Sequence, residues 1–211
     1  RVMPGPNYFD SIRNYWRVLS AVNETSRLVA EQFLAKIIDT KRFPLTIMGD
    51  TYSSELAKVL ENSYRAMNIA FIHEWTIMAE RIGVNLFDVV EAIKVRKGTH
   101  DNMRYPGFGV GGYCLTKDSL LAQWSMGHLF QDQTELGMTL HALQTNYRMP
   151  LHVFELMEEC FGKNLASLRV LLCGISYLPN LSDTRNSPSQ LFVENAIHRG
   201  LKMTLHDPHI N

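Results

Sequence analysis

Between Glu24 and Ile38 the apolar residues Leu28, Phe33, Leu34, Ile37 and Ile38 recur at helical spacing and predict a first helix. Two short apolar runs flank it. Tyr15–Leu19 and Phe43–Met48 read as strands, the second with Pro44 near its start, where a missing donor is tolerated. Ser53 or Ser54 can cap the next element, and no proline or glycine interrupts it until Gly83. Along it Leu56, Leu60, Met67, Phe71, Trp75 and Met78 stand three, four or seven apart, which places them in one stripe. The pattern predicts a helix of about 28 residues, roughly 40 Å long. An element of that length is expected to span two domains or two subunits.

Past Gly83, Asn85–Ile93 reads as a helix, Gly98–Gly112 as a loop, and Leu120–Leu129 and Thr134–Cys160 as helices. Pro150 is expected to kink the last of these or to divide it in two. The pattern then changes. Leu168–Gly174 is a nearly unbroken apolar run, Ser187-Pro188 opens a helix lasting to about His198, and Leu201–His206 is another strand. This is a βαβ unit, the building block of a parallel sheet, and alone it leaves strand edges and sheet faces uncovered. Met3–Asn7 reads as a turn, Arg1 is no natural start, and both ends read as cuts. The expected fold is therefore a long-helix middle segment followed by the opening half of an α/β domain, within a larger enzyme.

Composition adds exclusions. With 45% hydrophobic and 20% charged residues the chain reads as an ordinary globular protein. Its 21 basic residues balance 21 acidic ones, so no nucleic-acid groove or polybasic membrane patch is expected. No signal peptide or long apolar run is present, and a cytoplasmic location is expected. Cys114, Cys160 and Cys173 are widely spaced and odd in number, against a disulfide scaffold or a zinc site. The eight histidines form no HExxH or other ligand pattern, and no metal is predicted. Cys160 falls on an apolar helix face and Cys173 in a core strand, both read as structural.

Three constellations can carry chemistry. In Pro106–Asp118, four glycines within six residues free the backbone to approach a ligand, and Phe108, Gly109, Gly111 and Gly112 are the candidate substrate contacts. Cys114 follows directly, with Lys117 and Asp118 close behind. A neighbouring cation or a helix N-terminus there favours a thiolate able to attack a carbonyl. The alternative is a small hydrophobe beside a glycine turn. On the long helix, Lys58 and Asn62 are four apart and share a face, where an ammonium and an amide can hold an oxyanion or order a water. The alternative is a solvated face, with Glu55 pairing to Lys58. In Ser182–Pro188, at the carboxyl end of a parallel strand, Arg185 can clamp a phosphate and Ser187 can cap a helix, or Asp183 and Arg185 merely fix the loop. Gly174-Ile175-Ser176 is not a dinucleotide fingerprint.

Four separated stretches in order carry a resemblance: Arg1–Gly5, then Ser54–Asn62 with Tyr64–Ala70, then the glycine loop through Cys114 and Asp118, then Asp183–Pro188. Together they resemble the UDP-glucose/GDP-mannose dehydrogenase family over nearly the whole chain. The resemblance implies residues 1–49 as the tail of an α/β NAD-binding domain. Residues 50–164 would then be the helical central domain that forms a homodimer, and 165–211 the start of a Rossmann-like domain for the nucleotide sugar. It also implies a four-electron oxidation of a primary alcohol to a carboxylate with two NAD, through a thiohemiacetal and a thioester on Cys114. In that scheme Lys58 and Asn62 serve the oxyanions and Asp118 orders the water, while Lys117 and Arg185 meet the cofactor. The family glutamate that helps activate water would lie immediately before Arg1. Leu178 stands where many members carry lysine, Tyr113 precedes the cysteine in place of histidine or serine, Thr116 and Ser119 replace prolines, and His100 falls near a partner-subunit arginine of some members. Two other functions fit the same residues: a dehydrogenase that stops at two electrons, and a non-catalytic dimerisation scaffold.

Overall fold

The computed structural model describes residues 2, 3 and 5–210. Arg1, Pro4 and Asn211 lie outside the described residues, so the Met3–Asn7 turn and the Arg1–Gly5 stretch are described only in part. The element order is α1 (Tyr8–Arg13), β1 (Arg17–Leu19), α2 (Glu24–Leu34), β2 (Leu45–Ile47), α3 (Thr51–Arg81), α4 (Leu86–Lys94), α5 (Cys114–His128), α6 (Gly137–Phe161), β3 (Arg169–Cys173), α7 (Pro188–His198) and β4 (Lys202–His206). The chain is mainly helical. It divides into two compact units, Arg1–Glu61 and Asn62–Asn211, with the division falling inside α3.

In the first unit β1 and β2 pair in parallel, Arg17 opposite Leu45 and Leu19 opposite Ile47, with α2 as the crossover. Asn23 caps α2 by accepting from the Ser26 N–H at 2.9 Å. The long helix is capped by Asp50, earlier than either Ser53 or Ser54. Asp50 accepts from the Ser53 N–H at 2.8 Å and from its hydroxyl at 2.9 Å. Those bonds, with a further one from Tyr52, hold the Asp50 carboxyl below its ordinary range. The short helix α1 was not expected from the pattern. Within it Ser11 is buried, and its hydroxyl donates to the Tyr8 carbonyl at 2.8 Å.

In the second unit α6, α7 and the parallel pair β3–β4 enclose one core of Phe154, Leu165, Phe192, Ala196 and Leu201. Phe154 and Phe192 stack at 4.8 Å, and Phe108 meets Phe192 edge-on at 5.5 Å, which ties the glycine loop to this core. A second core, Ile72, Ala79, Leu86 and Val90, joins α3 to α4. Helix α6 runs without interruption through Pro150, so the proline does not divide it.

The long helix is longer than expected, 31 residues. Asn62, Ser63, Ala66, Ala70, Ile72, His73 and Ala79 are buried, whereas Leu56, Leu60, Phe71, Trp75 and Met78 are exposed. Small side chains let neighbouring helices approach closely, and the large apolar stripe is left uncovered in a single chain. Cys160 and Cys173 are likewise exposed, against the reading of both as core residues. The β3 side chains alternate: Val170 and Leu172 pack against the core while Arg169, Leu171 and Cys173 face the uncovered side.

Candidate active site

Cys114 is the first residue of α5, six residues before the helix start read from the sequence, and it is exposed. Its sulfur lies at the positive end of a 15-residue helix, where an anion is stabilised by unpaired N–H groups. Tyr113 precedes it with no side-chain capping bond, which is why no cap signal marked the start. The Thr116 hydroxyl donates instead to the carbonyls of Gly112 at 2.7 Å and Tyr113 at 3.1 Å.

One turn into α5, Asp118 is buried and accepts from Asn62 Nδ2 at 2.6 Å and from Lys117 Nζ at 2.8 Å. Asn62 is 1% exposed, so its amide serves this carboxylate and does not open to solvent. Next to it the Ser63 and Ser119 hydroxyls meet at 2.9 Å. The two rungs join α3 to α5. The serine rung was missed in the sequence, although Asn62-Ser63 and Asp118-Ser119 are both adjacent polar pairs on apolar helices. The hydrogen bond to Asp118 raises the Lys117 ammonium above its ordinary range against a smaller effect of burial, and the field of Cys114 adds to the rise.

The glycine loop is held by protein. A Cβ at Gly109 would stand 2.5 Å from the Pro188 Cβ, one at Gly111 2.5 Å from the Tyr177 Cβ, and one at Gly112 2.7 Å from the Tyr177 ring. Only glycine fits at these three positions, and Gly112 also has φ +77°. The close approach is therefore to the β3–α7 connection and to Pro188 at the start of α7.

Arg185, exposed, forks onto Asp183 with Nε–Oδ1 2.8 Å and Nη2–Oδ2 2.5 Å, and its guanidinium lies 4.6 Å from the centre of the Tyr113 ring. The bond to Asp183 raises the guanidinium, and the same bond lowers the Asp183 carboxyl. Burial, then Asp183 and Cys114, raise the Tyr177 phenol, opposed by Arg185. Cys114, Tyr113, Lys117, Asp118, Tyr177 and Arg185 thus form one neighbourhood. Lys117 also lines a cavity of about 410 Å³ with Thr116, Asn146, Asn186 and Gln190. Lys58 belongs to the first unit. It is half exposed and its partner is Glu61, at 3.9 Å, rather than Glu55. No group of three or more His, Cys, Asp or Glu side chains placed to hold a metal occurs among the described residues, and no described helix is long and apolar enough to cross a membrane.

Residues 52–148 match the model of the UDP-glucose/GDP-mannose dehydrogenase family, central domain. The UDP-N-acetyl-D-mannosamine dehydrogenase of Methanocaldococcus jannaschii is 30% identical over 207 residues, covering 98% of this chain and 45% of that protein. The solved structure of UDP-D-ManNAc dehydrogenase from Pyrococcus horikoshii superposes with a TM-score of 0.84 at 28% identity, over 100% of this chain and 48% of that one. That of NDP-N-acetyl-D-galactosaminuronic acid dehydrogenase from Methanosarcina mazei Go1 gives 0.86 at 25%, over 100% and 46%. The chain spans about half the length of the curated relatives it matches. Residues 52–148, which hold the glycine loop, the cysteine at a helix start and the buried Asn62–Asp118 pair, are thus similar to the central domain of the UDP-glucose/GDP-mannose dehydrogenase family.

Proposed function

We propose that the protein oxidises the primary alcohol of a nucleotide sugar to a carboxylate, with NAD as oxidant and Cys114 as nucleophile. The observation that supports this reading most is the exposed Cys114 at the first position of α5, one helical turn from the buried Asn62–Asp118–Lys117 network. In the first oxidation the alcohol loses a proton and a hydride and becomes an aldehyde. The Cys114 thiolate adds to the aldehyde carbon, giving a hemithioacetal whose oxyanion takes up a proton. Loss of that proton and of the C–H hydride leaves a thioester. Water then attacks the thioester carbon and expels the thiolate, leaving a carboxylate.

When bound, NAD accepts the hydride in each oxidation, two per sugar. The donor set fits its phosphates: Lys117 gives one N–H to Asp118 and keeps two, and Arg185 keeps an exposed edge outside its fork on Asp183. Asp118, oriented by Asn62, orders the hydrolytic water. Phe108, Gly109, Gly111 and Gly112 form the substrate wall, and Lys58 keeps its oxyanion role on sequence grounds alone. In this reading residues 1–49 end an NAD-binding domain, 50–164 form the central domain and 165–211 begin a nucleotide-sugar domain. The exposed Phe71 and Trp75 stripe of α3 supports a homodimer, because apolar area of that kind is ordinarily covered.

The test is the NADH formed per sugar consumed by the full-length protein over a panel of UDP- and GDP-sugars. The names of the relatives put UDP-N-acetylmannosamine first in that panel. Two per sugar is expected. One per sugar replaces the reading with a two-electron alcohol dehydrogenase, and none across the panel with a scaffold.

A further inference from the structure

The position of the Cys114 sulfur is fixed by the two residues before its helix, and these are gripped from outside α5. The Gly112 N–H donates to the Arg185 carbonyl at 2.9 Å. The Gly112 carbonyl accepts from Asn186 Nδ2 at 3.2 Å, beside its bond from Thr116. Consecutive residues of the β3–α7 connection thus hold both backbone polar groups of Gly112, which fixes the two peptide units on either side of its Cα. Asn186 carries φ +50°, left-handed backbone that asparagine tolerates better than most side chains. That conformation brings its amide to the Gly112 carbonyl while its own carbonyl lies 2.7 Å from where a Gly111 Cβ would stand.

The support behind Asn186 is rigid. Ser187 caps α7 and Pro188 fills its first position. The Ser189 hydroxyl donates to the Gly174 carbonyl at the end of β3 at 2.9 Å, and the Tyr177 N–H donates to the Asp183 carbonyl at 3.0 Å. The parallel βαβ unit is therefore the anchor, and Asn186 is the side chain through which it reaches the loop.

We propose that Asn186 is a positioning residue for the Cys114 nucleophile, acting through the Gly112 carbonyl. This rests on the reading of Cys114 as the nucleophile. The Asn186 amide is bonded to the Gly112 carbonyl, two residues before the cysteine, so its loss acts on the geometry of attack, and a displacement of about 1 Å costs on the order of 100-fold in rate.

The experiment uses the full-length protein with Asn186→Gly, which keeps the left-handed backbone and removes the amide, and Asn186→Asp, which keeps the size and removes the N–H donor. Cys114→Ser runs in parallel. The expected result for both Asn186 variants is a fall in kcat for NADH formation of about 10- to 100-fold, with KM for the nucleotide sugar changed less than about 3-fold. The rate of Cys114 alkylation by iodoacetamide is expected to change relative to exposed Cys160 and Cys173 in the same sample. Wild-type kcat and an unchanged alkylation ratio in Asn186→Gly overturn the inference, because backbone conformation alone then accounts for Asn186. A loss of kcat that matches a loss of folded protein, with the alkylation ratio unchanged, also overturns it. Cys114→Ser separates the two readings. If it keeps full NADH yield, the nucleophile assignment fails. If it is inactive while Asn186→Gly is normal, only the positioning role fails.

Discussion

Replacing Asn62 by alanine isolates the buried link between α3 and α5. The bond from Asn62 Nδ2 to Asp118 Oδ2 is 2.6 Å, between side chains almost wholly out of water. A hydrogen bond to a charged group contributes about 1.5–3 kcal/mol net, and its loss leaves a buried carboxylate short of a donor. The other donor, Lys117, is 49% exposed, so water replaces it and Lys117→Ala costs less than about 1 kcal/mol. At about 2–4 °C per kcal/mol for a chain of this size, Asn62→Ala lowers the unfolding midpoint by about 3–12 °C, and Lys117→Ala by less than about 4 °C. Urea unfolding of wild type, Asn62→Ala, Asp118→Ala and the double variant gives the coupling directly, expected at about 1.5–3 kcal/mol. A coupling below about 0.5 kcal/mol, within the scatter of independent sites, or an equal cost for Lys117→Ala, refutes the assignment of that link to a buried charge-assisted bond.

Three further outcomes follow from the same structure. Gly112→Ala places a Cβ against the Tyr177 ring at positive φ and is expected to destabilise by about 1–3 kcal/mol, whereas Gly127→Ala, in open space within α5, should stabilise by about 0.5–1 kcal/mol; thermal melts of the pair decide it. Burial would lower the His152 imidazole, but bonds to Glu80 at 2.6 Å and Glu155 at 3.0 Å outweigh it and raise it, while burial and then His152 lower His73. The raised His152 contributes stability that is present below about pH 6.5 and lost as pH rises through its folded value. The lowered His73 contributes in the opposite direction, its stability lost as pH falls, so the advantage of wild type over His152→Gln in urea midpoint should shrink from pH 5.5 to 8.5, and a constant gap contradicts the pairing. If the exposed stripe of α3 forms the proposed homodimer, Trp75→Glu is expected to halve the sedimenting mass of the wild type while leaving the helical circular dichroism intact; an unchanged mass overturns the dimer reading of that stripe.

Much of this site is legible in the sequence because glycine and cysteine have few substitutes. The spacing of Gly109, Gly111 and Gly112 before Cys114 is dictated by atoms of Pro188 and Tyr177 that leave no room for a Cβ. What occupies that room was not legible, since the contacts come from residues more than sixty positions away. The start of α5 was placed too late because Tyr113 gives no capping signal, while Asp50 was passed over for serines that are equally good caps. The stripe Phe71–Trp75–Met78 is legible as periodic, but whether it is buried within the chain is not, and the structure leaves it exposed. Period reports only that residues share a face, and helices in contact often meet through alanine and serine, as Ala66, Ala70 and Ser63 do here. Asn62 was singled out, but its partner Asp118 lies 56 residues away and could only be paired by the fold.

The most direct test of the central claim is a search for a covalent intermediate on Cys114. Full-length protein mixed with NAD and a nucleotide sugar that it turns over is quenched in acid, where thioesters persist, and digested for mass spectrometry. The account predicts that the peptide holding Cys114 gains the mass of the sugar nucleotide at the acyl level, with no gain on Cys160 or Cys173, and more of it in Asp118→Asn if Asp118 orders the hydrolytic water. An unmodified Cys114 throughout turnover, together with full NADH yield from Cys114→Ser, contradicts it.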